Sequence, residues 1–422
     1  MDEKPAIAGG TPAKQTAWGM GKRYGEEELQ QLKEALDQGT LFYAQGKKVY
    51  QLEERFAAKY GAEFAVACTS GTSAIHTALI AAGISPGDEV IVPPITDMGS
   101  VVPILYQGAV PVFADLDPQS YALDPNSVEA AISENTRAVL AVHLWGNVCD
   151  LDALLALCSR HGLILIEDCA QAFGATYKGR PVGTIGAMGC FSFNEFKHIS
   201  CGDGGLVLTN DARLAQRARL ATDKGYNRDT NAPVRNPTFL ANNYRMTELQ
   251  GAVALAQLGK LDGIVARRRT WCEGLTAGLS GLEGIALPQP TPGCNPSWWF
   301  YMMRVRLDVL APGADAVTIT DEFARALNAE GINVGAHYIG KCIYEYPIFT
   351  EHSAFERGTH AYAKRSYGPG LCPIAEAILN DCIILVVKEW FTAADLEETL
   401  AGIRKVERWF RAGKTSMKAL GR

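Results

Sequence analysis

The chain has 422 residues, 47% hydrophobic and 20% charged, a globular composition that excludes a mainly disordered polypeptide. Its 40 basic residues against 46 acidic ones give a formal net charge of −6, without the basic footprint of a nucleic-acid-binding protein. No apolar run reaches the roughly 18 residues that span a membrane, and Met1-Asp2-Glu3-Lys4-Pro5 lacks a basic-then-apolar leader, so no membrane partner and a cytoplasmic protein are expected.

Residues 1–24 are rich in Gly, Pro, Ala and Lys and read as an N-terminal arm. Amphipathic helices are expected over 25–37 and 50–60, the second with Leu52, Phe56 and Tyr60 on one face. Strands and helices then alternate: strand 64–68, helix 74–82, strand 89–92, helix 99–107, strand 110–114, helix 125–132, strand 138–143, helix 151–160 and strand 163–167. These strands are continuous apolar runs, so both faces should be buried, as in a mainly parallel sheet covered by helices. Further strands are expected over 190–193 and 205–209, with helices over 213–222 and 247–268. The Pro/Gly-rich stretch 287–296 reads as a linker, followed by strand 298–306, helix 318–330, strand 383–387 and helix 393–411. The expected organisation is thus an arm (1–24), a large α/β domain (25–275) and a smaller α+β domain (276–422).

The 11 cysteines are odd in number and scattered, with no Cys-x-x-Cys pair. Cys158, Cys169, Cys190 and Cys201 lie in or beside apolar segments and read as small buried thiols, not a disulfide framework. His198 near Cys201 lacks a second ligand pair at zinc spacing, so no metal is expected.

Four local features could carry chemistry. Ser70-Gly71-Thr72 stands between a strand and a helix, where free N–H groups attract anions; the same residues would serve a plain helix cap. Glu167-Asp168 ends an apolar strand, where a carboxylate could keep a pyridinium nitrogen protonated or simply cap the next turn. Lys197 follows an aromatic strand and could be a desolvated amine nucleophile or a surface lysine; Gly202-Asp203-Gly204-Gly205 follows it. Asn242-Asn243-Tyr244-Arg245-Met246 precedes a helix and could be a polar arm or a turn. In this order they meet the needs of pyridoxal phosphate: a phosphate cradle, a carboxylate for the ring nitrogen and a lysine for the aldehyde. The run from Gly183 to Gly189 only loosely imitates a dinucleotide fingerprint, because it does not open a helix after a strand.

At these residues the chain resembles the sugar and cyclitol aminotransferases of the DegT/DnrJ/EryC1/StrS family, fold-type I pyridoxal-phosphate enzymes. The resemblance runs from about Gly9 to the last helix. It is most specific at Ser70-Gly71-Thr72, Val142-His143-Leu144-Trp145-Gly146, Glu167-Asp168-Cys169-Ala170-Gln171, Phe191-Ser192-Phe193 with Lys197 and Gly202-Asp203-Gly204-Gly205, and Asn243-Tyr244-Arg245-Met246. It implies a mainly parallel seven-stranded sheet in the large domain. It implies that Lys197 holds the cofactor through a Schiff base, Asp168 bonds the pyridinium nitrogen and Gln171 sits near the ring hydroxyl. Gly71, Thr72 and Ser192 would hold the phosphate, and Asn243 would reach the phosphate of a neighbouring subunit in a homodimer. His337, Tyr338 and Trp145 would line the substrate pocket.

The implied reaction moves an amino group from glutamine or glutamate to a keto-sugar or keto-cyclitol, through the pyridoxamine form of the cofactor. Two positions depart from the family pattern. Thr96-Asp97 stands where relatives have Thr and a stacking aromatic, so Met98 or another group would cover the ring, and Asp97 should bond a polar group, be turned to solvent or meet the substrate. Asp203 stands where Glu is commoner. Dehydratases of the same fold carry His in place of the lysine, so Lys197 favours transamination over a lyase and over a non-catalytic regulator.

Overall fold

The computed structural model describes residues 4–228, 235–357 and 360–413; the Met1-Asp2-Glu3 part of the N-terminal reading and residues 414–422 of the C-terminal domain lie outside them. Helices α1 (Glu26–Asp37) and α2 (Lys48–Tyr60) precede the alternating region. That region runs β1 (Phe64–Cys68), α3 (Gly71–Ala82), β2 (Glu89–Val92), α4 (Met98–Tyr106), β3 (Val110–Phe113), α5 (Pro125–Ala131), β4 (Thr136–Val142), α6 (Leu151–His161) and β5 (Ile164–Asp168). A hairpin, β6 (Thr176–Tyr177) and β7 (Arg180–Pro181), leads to β8 (Met188–Ser192), β9 (Gly205–Thr209), α7 (Ala212–Thr222) and α8 (Glu248–Leu279). Then come β10 (Ile285–Ala286), β11 (Cys294–Asn295), β12 (Phe300–Val305), α9 (Leu307–Leu310), α10 (Ala316–Ala329) and β13 (Val334–Ala336). Helices α11 (Pro347–Thr350) and α12 (Pro373–Asp381), strand β14 (Cys382–Val386) and α13 (Ala393–Arg411) complete the order.

The large sheet has seven strands in the order β1-β9-β8-β5-β4-β2-β3, and β9 alone runs against its neighbours. Alternate residues of each strand enter opposite cores: Val90, Leu140 and Ile166 on one face, Ile91, Val139 and Leu165 on the other. That is why these strands read as unbroken apolar runs. The first core continues into a four-stranded antiparallel sheet, β10-β12-β14-β13, through Trp298, Tyr301 and Ile383. Among the described residues no helix is long and apolar enough to cross a membrane.

Three expected stretches differ, and the structure adds short elements the sequence reading did not place, among them β13 and α12. Helix α8 continues past Arg268 to Leu279, because Trp271, Cys272, Leu275 and Leu279 extend its buried face. The glycines that weaken the helical reading there are packing notches: a Cβ on Gly274 would lie 2.7 Å from Leu396 Cδ2, and one on Gly278 2.5 Å from Leu400 Cδ2. The 287–296 stretch is pinned rather than loose, since β11 pairs with β6 in a three-stranded sheet. The N-terminal arm is tied to the C-terminal region, where Glu330 accepts from the N–H groups of Ala6 and Ala13 at 2.7 Å each. All 11 cysteines are free, and Cys201 is only partly buried, in contrast to Cys158, Cys169 and Cys190.

Strands β1, β4, β5 and β8 all end at one edge of the sheet, so the segments after Cys68, Val142, Asp168 and Ser192 converge. Glu167, fully buried, orders the loop before β8: it accepts from Gly183, Ile185 and Gly186 N–H at 2.8, 2.9 and 2.6 Å and pairs with His143 Nε2 at 3.0 Å. The glycine run 183–189 therefore folds over a carboxylate and enters a strand, unlike a dinucleotide loop. Gly205 is compulsory in a stricter sense, because a Cβ there would stand 2.0 Å from the Ser70 carbonyl oxygen. Gly205→Ala must push β9 from the start of α3 and should cost about 3 kcal/mol, read as a lowered thermal unfolding midpoint.

Candidate active site

The converging segments enclose a cavity of about 340 Å³. One wall is the start of α3. Ser70 caps that helix by accepting from Ser73 N–H at 3.0 Å, while Ser73 Oγ accepts from Ser70 N–H at 2.8 Å. Gly71 and Thr72, at the first helical positions, line the cavity beside Ser192. A Cβ on Gly71 would lie 2.6 Å from Ser192 Cβ, so only glycine lets the end of β8 approach the helix start. The helix start, a glycine and two hydroxyl side chains form an anion cradle.

Asp168 stands on the floor, 4% exposed. Its Oδ2 accepts from Ser100 Oγ at 2.7 Å, its Oδ1 from Ala170 N–H at 3.0 Å, and Thr96 Oγ1 lies 2.7 Å from Ser100 Oγ. Burial pushes the Asp168 carboxyl above its ordinary range; the Ser100 and Ala170 bonds and the Lys197 charge act against that rise. Lys197 lies in the turn after β8, its N–H bonded to the Asn194 carbonyl at 2.9 Å. Burial lowers its proton affinity, and the charges of Asp168 and Asp97 partly restore it.

The other expected site residues fall into two groups. Gln171 joins the cavity; its Nε2 donates to Tyr338 Oη at 3.3 Å and its Oε1 accepts from Trp145 N–H at 2.9 Å. Tyr338 thus reaches the site from the C-terminal region, on a backbone with φ +42° that follows His337 at φ +63°. Asp97 also lines the cavity, exposed, and its Oδ1 accepts from Gly99 N–H at 2.7 Å to cap α4. Met98 is partly buried against the apolar core. Trp145, His337 and Asn243 are not brought into this cavity. Trp145 is fully buried, with its indole N–H on the Ser120 carbonyl at 3.1 Å, and only its backbone touches Gln171. His337 donates through Nδ1 to the Leu379 carbonyl at 2.8 Å and lies 3.3 Å from Asp321. Asn243 is exposed, in a bridge to Asp223. His198, buried behind Lys197, donates through Nε2 to the Ser297 carbonyl at 3.0 Å. Asp203 lines the cavity and accepts from Asn194 Nδ2 at 3.0 Å.

Sequence reasoning missed Ser100 as the partner of Asp168, with Thr96 bonded to Ser100 behind it, and Trp299, whose ring centroid lies 4.1 Å from Lys197 Nζ. The Ser/Thr pair four residues apart at a helix start was a usable signal. The adjacent tryptophans 298 and 299 read only as the opening of a strand.

A family model for the DegT/DnrJ/EryC1/StrS aminotransferases matches residues 22–404. The chain belongs to that family. It is 39% identical to the GDP-perosamine synthase of Caulobacter vibrioides over 364 residues, 86% of this chain and 90% of the relative. It is 40% identical to the L-glutamine:scyllo-inosose aminotransferase of Streptomyces griseus over 343 residues, 78% of this chain and 80% of the relative. Among solved structures, 3-amino-5-hydroxybenzoic acid synthase matches with a TM-score of 0.80 and 30% identity, covering 94% of this chain and 99% of that one. The Streptomyces venezuelae DesV structure, in complex with a ketimine intermediate, matches with a TM-score of 0.78 and 34% identity, covering 91% and 94%. The protein is accordingly a fold-type I aminotransferase of this family, with the mainly parallel sheet that class carries.

The cavity suits pyridoxal phosphate: the Gly71–Ser192 approach leaves an anion cradle, a buried carboxylate faces inward and an amine of lowered proton affinity stands across from it. The cost of charging Asp168 gives a direct test. Asp168→Asn keeps an acceptor for Ala170 N–H and removes the buried charge, so the cofactor-free variant should be more stable than wild type at pH 7. Because the carboxyl titrates above its unfolded value, wild type loses this handicap as pH falls through that range, and the two stabilities should converge in denaturant titrations at acid pH.

Proposed function

We propose that this aminotransferase moves an amino group from glutamine or glutamate to a keto-sugar or keto-cyclitol, with pyridoxal phosphate held between Lys197, Asp168 and the start of α3. The observation that carries the reading is the placement of Lys197 and Asp168 in one cavity closed by an anion cradle. Gly71, Thr72 and Ser192 would hold the phosphate, Asp168 the ring nitrogen and Gln171 the ring hydroxyl; all five line the cavity. The bound cofactor supplies an aldehyde for amine exchange and a ring that takes up electrons once its nitrogen is protonated.

The chain's own residues do the rest. Ser100 Oγ–H and Ala170 N–H fix both oxygens of Asp168, so its charge is aimed rather than free to rotate. Burial lowers the proton affinity of Lys197, so its Nζ would be available as a free amine to hold the cofactor's aldehyde and, once released, would take up and return a proton at Nζ. Tyr338 fixes Gln171 and brings the C-terminal region to the mouth of the site. Asp97 meets the polar part of the substrate, since its exposed carboxylate is held at the rim by Gly99. Trp145 and His337 support the wall from behind rather than touch the acceptor.

The working unit of this proposal is a cytoplasmic homodimer with shared sites. Asn243 supports it, because it lies exposed outside its own cavity, and Leu240 beside it is 92% exposed. Lys197→Ala should be colourless and inactive, and Asn243→Ala should bind cofactor weakly. Mixed and co-refolded, the two inactive variants should regain activity, because one site of each heterodimer then has both Lys197 and a partner asparagine. Absence of any recovery places Asn243 in its own subunit's site or in none.

Asp97 is tested separately. Asp97→Phe should retain cofactor and lose one half-reaction by roughly tenfold or more, the scale of one charge-assisted hydrogen bond. Stopped-flow spectra of each half-reaction, run over a panel of keto-sugars and keto-cyclitols, read this out; unchanged rates in both halves remove Asp97 from substrate recognition.

A further inference from the structure

The segment 297–299 is joined to the lysine turn in three ways, two of them through Trp299. Its ring centroid lies 4.1 Å from Lys197 Nζ. Its indole N–H donates to the carbonyl of Phe196, the residue before the lysine, at 2.8 Å. On the other side of the lysine, His198 donates to the Ser297 carbonyl at 3.0 Å, so the 297–299 segment grips both neighbours of Lys197.

That segment is itself clamped. Trp299 N–H donates to the Trp145 carbonyl at 2.9 Å and Ser297 N–H to the Gly146 carbonyl at 3.0 Å. Arg268, from α8, donates to the Trp299 carbonyl at 3.2 Å while its other nitrogens bond Glu389 at 2.8 and 3.2 Å. Arg269 donates to the Pro296 carbonyl at 3.1 Å. Trp298 holds φ +53°, a left-handed backbone that a bulky residue keeps only when its surroundings over-determine it. These bonds fix the backbone of the segment that carries the Trp299 indole.

We propose that Trp299 is a positioning residue for Lys197: its indole face supports the ammonium form of the amine, and its N–H fixes the turn from which the lysine reaches. This rests on the reading of Lys197 as the reacting amine. The charged groups facing Lys197 are Asp168 from the end of β5 and Asp97 from the start of α4, with buried His198 behind it. Both carboxylates have other duties, Asp168 toward Ser100 and Asp97 toward Gly99, and among the described residues Nζ forms no hydrogen bond or ion pair. The electron-rich ring is the close neighbour that favours the charged amine without competing for its protons. An amine that takes up and returns a proton in each half-reaction needs that support in its charged state.

The test measures Lys197 itself. Full-length protein in its pyridoxamine-loaded form, where the amine is not covalently held, is treated with limiting formaldehyde and cyanoborohydride across pH. Methylation of the Lys197 peptide is followed by mass spectrometry, with exposed Lys33 as internal reference. The rate at neutral pH is divided by its alkaline plateau, which removes differences in reagent access. Trp299→Leu, without ring or N–H, should raise this ratio roughly three- to tenfold, because loss of the cation–π contact leaves more neutral amine. Trp299→Phe, which keeps a ring face, should stay within about twofold of wild type. Trp299→Met replaces the leucine variant if that one does not fold. An unchanged or lower ratio in the leucine or methionine variant means the ring only excludes water, and overturns the proposal. A phenylalanine variant that behaves like leucine overturns the proposal that the ring face supports the amine, leaving the N–H bond to Phe196 as the one tie of Trp299 to the lysine turn. Failure of the parent reading has a different signature: Lys197→Ala that stays yellow, whatever the methylation ratios.

Discussion

The site depends on keeping a charge on a carboxylate buried at the end of a strand. Burial raises the proton affinity of Asp168, against the charged form that the proposed hold on a ring nitrogen needs. Two hydrogen bonds and an opposing amine are what the fold supplies against that tendency. Each partner comes from a different element: Ser100 from α4, Ala170 from the loop after β5, Lys197 from the turn after β8. The need to bring these ends to one edge explains the parallel run of β2, β4, β5 and β8, since only codirectional strands deliver all their carboxyl ends to the same side. The one reversed strand, β9, carries none of the expected site residues and serves instead to seal β8 against β1.

Close backbone approach is the second requirement, and glycine meets it at three contacts. Gly71 admits Ser192, Gly205 admits the Ser70 carbonyl, and Gly189 lies where a Cβ would stand 2.2 Å from Gly183 Cα. The first two hold α3, β8 and β9 together at the anion cradle; the third holds the Glu167-ordered loop under β8. The cradle and the carboxylate therefore share a scaffold, and a shift in one strand is felt at both ends of any ligand lying between them.

Much of this was legible in the sequence, for identifiable reasons. Apolar runs marked the buried strands, and Ser70-Gly71-Thr72, Asp168 and Lys197 stood at strand ends where ligands collect. Family resemblance then gave them an order and a cofactor. What stayed hidden depends on contacts between residues far apart in the chain. Trp145 lies in a strongly matching segment, yet its indole turns toward Ser120 and Trp298, and no local pattern states which way a buried ring faces. Trp299 is about 100 residues from Lys197 along the chain, and only the docking of the C-terminal sheet onto the larger one brings them together. The length of α8 was obscured by Gly274 and Gly278, because a glycine that breaks a helix and one that receives a leucine look alike in one dimension.

Asp97 shows how the fold accommodates a residue that its family pattern does not lead one to expect. A carboxylate stacked on an aromatic ring would lose hydration with no partner in return. Here the side chain turns back to cap α4, where the helix dipole and the Gly99 N–H favour negative charge, and it remains exposed at the rim. Gly99 makes this possible, for a Cβ there would lie 2.8 Å from Asp97 Oδ1 and 2.7 Å from Thr72 Oγ1. One glycine thus spaces the cap from the cradle. The carboxylate also contributes to the field at Lys197, so the substitution changes the electrostatics of the amine as well as the shape of the cavity. If the proposed role of Asp97 holds, a substrate group that answers it would be polar and would arrive on the same side as the lysine, tying recognition to the proposed reacting amine instead of to a distant handle.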